Sequence, residues 1–551
     1  MYALMLDYLM QKRGGIELDE KAFNLLDEPW ILITDGYGKD KELSLLEVFL
    51  QAHEIKTLSG ELPAQDAAIL RLLLGVLYSV FTNVNEAGEP LNEEHDALAL
   101  WKRLWELKCF PIKVITGYFE HYRDRFWLVH PERPFYQVAG LSKGTNYSAS
   151  KLIGDLSESS NKKRLFQNRS GKDKDSLEFS QAARWLIHLN AFDDTSSKAS
   201  VRGMNMPSPG AGWLGKLGIV YAVGDNLFET LMFNLVLLDE RGQKWGKGNA
   251  AWELKEPRSA ERIEIPLPHN QAALMTLQSR RILLERSNDM ISGFILLGGD
   301  FFQKENAFSE QMTLWRRKDE KKDEYVPKRH NSTRQFWRDF TPMFAKTDKT
   351  RPPGIINWLA RLRFAGLIQS RHVQMCAVSI QYGDKDFFVV DTWEDSITLN
   401  ADLLSALGDD WINRITDSLE VTDKMVYTLG SLAADIAISS GDSGGLASKR
   451  KLAREEAYFA LDMPFRKWLA DISPESDIID ETCNVWEKTA QGIVLNYGEY
   501  LFSQAGTQAF TGREKDNTLY TAPKAHIWFK NRISKILWEN KEKSARGNEY
   551  D

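Results

Sequence analysis

Apolar positions recur at helical spacing in the first part of the chain. Ile69, Leu72, Leu73, Val76 and Leu77 follow Pro63, a residue tolerated in a first helical turn, and predict a helix over 63–81. Further helices are predicted over 43–52 and 101–107. Another is predicted over 181–191, with Ala182, Trp185, Leu186 and Leu189 on one face. Residues 30–34 read as a buried strand. From residue 191 to about residue 400, strand-like runs at 218–223, 294–297, 376–381 and 387–391 alternate with long loops rich in glycine, proline and charge. That texture fits an irregular α+β domain. Beyond 400 the period is helical throughout. Ile412, Ile415, Leu419, Leu429, Leu432, Ala433 and Ile436 mark one long helix or a broken pair. Ala457, Tyr458, Leu461, Phe465, Trp468 and Leu469 mark the next. Ile479, Cys483, Trp486, Ala490, Ile493, Tyr497 and Leu501 step by fours and threes, and Ala525, Phe529, Ile533, Ile536 and Leu537 form the last stripe. Four amphipathic helices with short joints predict an antiparallel four-helix bundle. The expected order is an N-terminal extension over 1–22, a mixed α+β domain over 23–399 and an all-α bundle over 400–545.

Composition changes this picture little. Hydrophobic residues are 43% and charged residues 27% of 551, an ordinary globular balance that argues against extensive disorder. The longest apolar run, 67–81, is short for a bilayer and interrupted by Arg71, so no membrane partner is expected. Cys109, Cys376 and Cys483 lie too far apart for a CxxC metal site or a disulfide framework, which fits a reducing cytoplasm.

The net charge of −7 argues against nucleic-acid binding by bulk charge and directs attention to local basic runs. One gathers Lys162, Lys163, Arg164, Arg169, Lys172 and Lys174. The other gathers Arg316, Arg317, Lys318, Lys321, Lys322, Lys328, Arg329 and Arg334, diluted by Asp319, Glu320, Asp323 and Glu324. Met without context, either run reads first as a solvated loop.

Candidate chemistry is sparse. Gly441-Asp442-Ser443-Gly444-Gly445 matches the string around a serine-protease nucleophile, and a hydrolase using Ser443 is the enzymatic alternative. The string lies between two predicted helices, where glycine and serine serve a flexible joint, and no histidine stands in a matching context upstream. The nine histidines form no HExxH, and neither a GxxxxGK[ST] phosphate loop nor a GxGxxG after a strand occurs. No catalytic residue, metal or cofactor is expected.

Several segments, in order, resemble the CasA family, the large subunit of the type I-E Cascade complex of CRISPR immunity. They are Phe23 to Ile31 (FNLLDEPWI), Arg133-Pro134-Phe135-Tyr136-Gln137-Val138, Gln181 to Leu186 running on to Ala191-Phe192-Asp193, and Glu455 to Phe465 running into Trp468. The resemblance spans about residues 23–540. It implies a mixed N-terminal domain followed by a four-helix bundle, and a non-catalytic subunit that recognises the protospacer-adjacent motif (PAM) in double-stranded target DNA. It also implies local unwinding and recruitment of the CRISPR helicase-nuclease. The implied partners are target DNA, the 5′ handle of the guide RNA and the other Cascade subunits. By resemblance, the wedge hairpin maps to Gly383, Asp384, Lys385 and Asp386. The glycine loop near the minor groove maps to Lys198, Ser200, Arg202 and Gly203, and a lysine finger to Lys304. A docking loop maps to Lys162, Lys163, Arg164, Leu165, Phe166, Gln167, Asn168 and Arg169. The cysteine cluster of some relatives is absent, which implies no metal. A protein-only scaffold whose basic loops merely dock partners is the other alternative.

Overall fold

The computed structural model describes residues 20–158, 163, 169–195, 210–261, 263–369, 371–404, 408–442 and 444–547. They fall into two compact units. One is drawn from Met1–Thr313, Glu324–Ser332 and Val378–Glu394, the other from Leu314–Asp323, Thr333–Ala377 and Asp395–Asp551.

The first unit holds a small antiparallel sheet near its start. Ile31–Asp35 lies between Asp40–Leu43 and Ile55–Leu58, with Ile31 and Leu43 in register. The helix expected from residue 43 starts later, at Leu45. The reason is a capping box: Ser44 accepts from the Glu47 amide at 3.3 Å, and the Glu47 carboxylate accepts from the Ser44 amide at 2.8 Å. Pro63–Phe81 forms as predicted, with proline in the first turn, and is buried on nearly every face. Arg71, which interrupts its apolar run, is 1% exposed and makes a two-pronged ion pair with buried Glu310 at 2.7 and 2.9 Å. This helix packs against Phe179–Phe192. A second antiparallel sheet has the order Thr145–Ser148, Met290–Gly298, Arg280–Ser287.

Strands His372–Tyr382 and Val389–Asn400 neighbour one another, and the tip half of this hairpin belongs to the first unit. Phe387 and Phe388, read from sequence as strand, lie in the turn. The Gly383 amide donates to the Phe388 carbonyl at 2.8 Å and closes the turn ahead of the second strand.

The second unit is built on four helices: Gly408–Ser439, Leu446–Asp471, Ile479–Ser503 and Ala522–Gly547. The first is one unbroken helix of 32 residues and packs on each of the other three. Phe465 is the aromatic centre, with its ring centroid 4.7 Å from Trp337 and 5.0 Å from Trp486. The stripe predicted on the third bundle helix drifts at its C-terminal end: Val494 and Gly498 are buried, not Ile493 and Tyr497. A helix of 3.6 residues per turn slips about 20° per heptad against a strict seven-residue repeat. Gly498 admits the ring of Phe529; a Cβ there would lie 2.3 Å from it.

Candidate nucleic-acid interface

Residues 193–195 leave the helix Phe179–Phe192 and lead into the segment expected to carry the glycine loop. Lys198, Ser200, Arg202 and Gly203 lie outside the described residues, but both stems of that segment are described. The Gly212 amide donates to the Asp193 carbonyl at 2.8 Å and closes the base. Arg280, with its side chain 1% exposed, holds both stems at once. Its Nη2 donates to the carbonyls of Asp193, Asp194 and Gly210 at 3.2, 3.1 and 2.7 Å, and its Nε to the Asp193 carboxylate at 2.6 Å.

Lys151 completes a buried four-charge cluster. Its Nζ lies 3.1 Å from Asp194 and 3.5 Å from Asp193. Burial pulls the ammonium's pKa down, but Asp193 and Asp194 outweigh it and hold it above the ordinary lysine value. Two cations and two carboxylates cancel, as buried charges must. His188 lies fully buried close by. Burial, then the Lys151 charge, depress it to about 3, so the ring is neutral.

The same cluster reaches the stem of the basic loop. Lys151 Nζ donates to Ser157 Oγ at 2.8 Å, and the Glu158 amide donates to the Ser150 carbonyl at 3.2 Å. Within that loop, Lys163 is exposed and Arg169 half-buried, while Lys162, Arg164, Leu165, Phe166, Gln167 and Asn168 lie outside the described residues. Lys174 of the same run pairs with Glu158 at 3.0 Å.

The hairpin turn is anchored to the glycine-loop stem. The Thr195 amide donates to the Asp386 carbonyl at 2.9 Å, and Thr195 Oγ1 donates to the carbonyls of Lys385 and Asp386, each at 3.1 Å. Tyr382 donates its hydroxyl to the Phe192 carbonyl at 2.6 Å. Arg329 lies over the Tyr382 ring and grips the Asp386 carboxylate with both Nη atoms, at 2.6 and 2.8 Å. These bonds sustain two successive left-handed non-glycine residues, Lys385 at φ 55° and Asp386 at φ 58°, a conformation costing roughly 1–2 kcal/mol per residue. Asp384 and Lys385 are exposed. So are Phe387, Phe388 and Val390, by 38%, 43% and 44%.

Lys304 is exposed. Phe302, two residues before it, packs on Trp213 with ring centroids 4.3 Å apart, three residues beyond Gly210. Trp213 Nε1 donates to Glu310 at 2.8 Å, the carboxylate that Arg71 holds.

The structure thus brings the hairpin, the glycine-loop stems and the basic-loop stem around one buried cluster, while the Lys304 segment meets the second glycine-loop stem through Phe302 on Trp213. Sequence reading missed that cluster, because Asp193 and Arg280 stand 87 residues apart and look like surface charges. It also missed the exposed Phe387 and Phe388, which their apolarity assigned to a strand. In the diluted second basic run, three arginines are paired: Arg329 with Asp386, Arg317 with Asp323 at 3.6 Å and Arg334 with Asp339 at 3.9 Å.

The serine-protease-like string forms the joint between the first two bundle helices. Gly441 at φ 85° and Gly445 at φ 66° make the turn, and Asp442 pairs with Lys449, so joint geometry accounts for the glycines. Ser443 lies outside the described residues. Burial pushes the Cys483 thiol up to about 11, which suits a packing role. No group of three or more metal-ligating side chains occurs among the described residues.

A family model described as CRISPR-associated protein Cse1 matches residues 24–497. A CasA/Cse1 protein of Thermus thermophilus is 30% identical over 330 residues, covering 59% of this chain and 61% of that relative's length. The crystal structure of Thermobifida fusca Cse1 is 29% identical and superposes with a TM-score of 0.80, covering 94% of this chain and 99% of that one. A chain of a CRISPR RNA-guided surveillance complex, 16% identical, shares the fold with a TM-score of 0.70 over 94% of this chain and 100% of its own. With a family model matching most of its length, the chain belongs to the CRISPR-associated Cse1 family.

Proposed function

We propose that this chain is the non-catalytic large subunit of a type I-E Cascade. In this reading it recognises the PAM in double-stranded target DNA, starts local unwinding there, and offers a surface to the CRISPR helicase-nuclease. The observation that carries the proposal is the convergence of the hairpin and two loop stems on the Lys151, Asp193, Asp194 and Arg280 cluster. A reader of short DNA motifs needs a few backbone and base contacts held in fixed register, and specificity beyond the motif is left to guide pairing.

The tip chemistry supports a wedge. Arg329 neutralises Asp386, so Asp384, Lys385, Asp386 and Arg329 sum to zero and the tip does not repel phosphates. Lys385 is the phosphate contact. Phe387 and Phe388 are the apolar side chains for insertion between base steps. Gly203 in the neighbouring loop suits close backbone approach to the minor groove, with Lys198, Ser200 and Arg202 beside it. Lys304 contributes a second phosphate contact. The loop over 162–169 docks on the guide RNA 5′ handle and adjoining subunits, with Leu165 or Phe166 available for stacking.

The test is a gel shift with the reconstituted complex, with and without this chain, on duplexes with and without the PAM. The expected result is PAM-dependent binding that vanishes when the chain is omitted. PAM-dependent binding that survives the omission refutes the proposal and favours a scaffold.

A further inference from the structure

The segment Arg133-Pro134-Phe135-Tyr136-Gln137 takes no part in the interface above. It lines a cavity of about 40 Å³ in the first unit, together with Arg125, Trp252 and Arg258. We propose that this cavity is a binding site for a phosphate-type oxyanion.

Charge is the first argument. Three of the twelve lining residues are arginines, and none is acidic. Arg258 pairs with Asp300 at 2.9 Å, but that carboxylate is shared with buried Arg281, so two guanidiniums face one anion and a positive charge is left over. Arg125 and Arg133 are half-buried, where water screens their field less than at an open surface. Planar guanidinium forks match the oxygens of phosphate in a way that lysine does not.

The walls are the second argument. Phe135 and Tyr136 pack on Trp252 with ring centroids 6.0 and 6.4 Å apart, an apolar floor that raises the strength of any ion contact above it. Tyr136 holds a left-handed backbone at φ 58°. Strain of that kind in a non-glycine residue persists where the surroundings over-determine it, as at ligand clamps.

Size decides the ligand class. At roughly 10–15 Å³ per water, the cavity holds about three waters or one tetrahedral oxyanion. The phosphate comes either free from solution or from a nucleic-acid strand.

The site is tested with the full chain by calorimetric titration of inorganic phosphate at constant ionic strength. Saturable one-to-one binding is expected, weakened at least tenfold in Arg125→Gln/Arg133→Gln. Arg133→Lys keeps the charge but loses the fork, and its affinity is expected to fall between the two. It also carries the test if the double variant does not fold by circular dichroism. Competition then identifies the source. Displacement of phosphate by a 5′-phosphorylated oligonucleotide but not by its 5′-hydroxyl twin assigns the site to a strand end. Displacement by both assigns it to backbone phosphate, and displacement by neither assigns it to the free ion. No saturable phosphate binding, or binding unchanged in the variants, overturns the proposal. The Arg125 and Arg133 variants leave Lys385 and Lys304 in place and so isolate this cavity; failure here leaves the PAM reading standing, and failure of that reading leaves this one.

Discussion

Arg280→Met removes a side chain that holds both stems of the 196–209 segment. Methionine keeps much of the apolar stem of arginine and deletes the fork, so the substitution isolates the polar contacts. Asp193 is left buried with Lys151 as its partner at 3.5 Å, and the carbonyls of Asp193, Asp194 and Gly210 each lose a donor. Breaking a buried ion pair from one side costs roughly 3–5 kcal/mol. The remaining Lys151 brings the expectation to the low end, about 3 kcal/mol. At about 1.4 kcal/mol per factor of ten, local opening becomes more than a hundredfold easier. The Gly212 and Thr195 amides report it, because their bonds to Asp193 and Asp386 close the loop base and dock the hairpin. Native-state hydrogen exchange by mass spectrometry is expected to show protection at both falling by two orders of magnitude, with Arg280→Lys intermediate. A fall of less than tenfold, or one confined to Gly212, would refute the claim that a single cluster anchors hairpin and loop together.

Three further outcomes are expected. Lys385→Gly relieves a left-handed backbone and is expected to raise stability in urea by about 1 kcal/mol while weakening duplex binding by the complex; lower stability would contradict the strain argument. Gly498→Ala gains about 1 kcal/mol of helix propensity but sets a Cβ 2.3 Å from Phe529, and overpacking at about 1–3 kcal/mol is expected to win; a more stable variant would count against the packing described. Because His188 titrates at about 3 when folded but near 6.5 when unfolded, the unfolded chain binds more protons between those values. His188 therefore costs stability as pH falls below about 6.5, by up to ~1.4 kcal/mol per unit. His188→Leu is expected to flatten that slope in pH-dependent urea unfolding, and an unchanged slope would place the titration elsewhere.

What the sequence reveals follows from the range of the forces involved. The bundle stripes are local, since residues three and four apart share a face whatever lies beyond. They read correctly as far as Leu432 in the first bundle helix and Ala490 in the third; beyond those points Ala434 and Ala437 are buried in place of Ala433 and Ile436, and Val494 and Gly498 in place of Ile493 and Tyr497, where Gly498 meets a partner ring on another helix. The start of Leu45–Leu50 was within reach, because Ser44 and Glu47 form a capping box that a hydrophobic period does not register. Arg71 read as an interruption of an apolar run, whereas Glu310, 239 residues away, makes it a core residue. The candidate interface is the extreme case. Lys151, Asp193, Asp194 and Arg280 carry no common motif, and only the tertiary fold shows that they neutralise one another. Residues 314–323 and 333–377 likewise join the helical unit through contacts such as Trp337 on Phe465, which no short-range pattern announces.

The most direct measurement is photo-crosslinking from the hairpin tip. A photoreactive phenylalanine analogue at Phe387, in the reconstituted complex, is irradiated on duplexes with and without a PAM. Crosslinks to the nucleotides flanking the PAM, lost when the PAM is scrambled, are the expected result. No crosslink to DNA, or crosslinks indifferent to the PAM, would contradict the account.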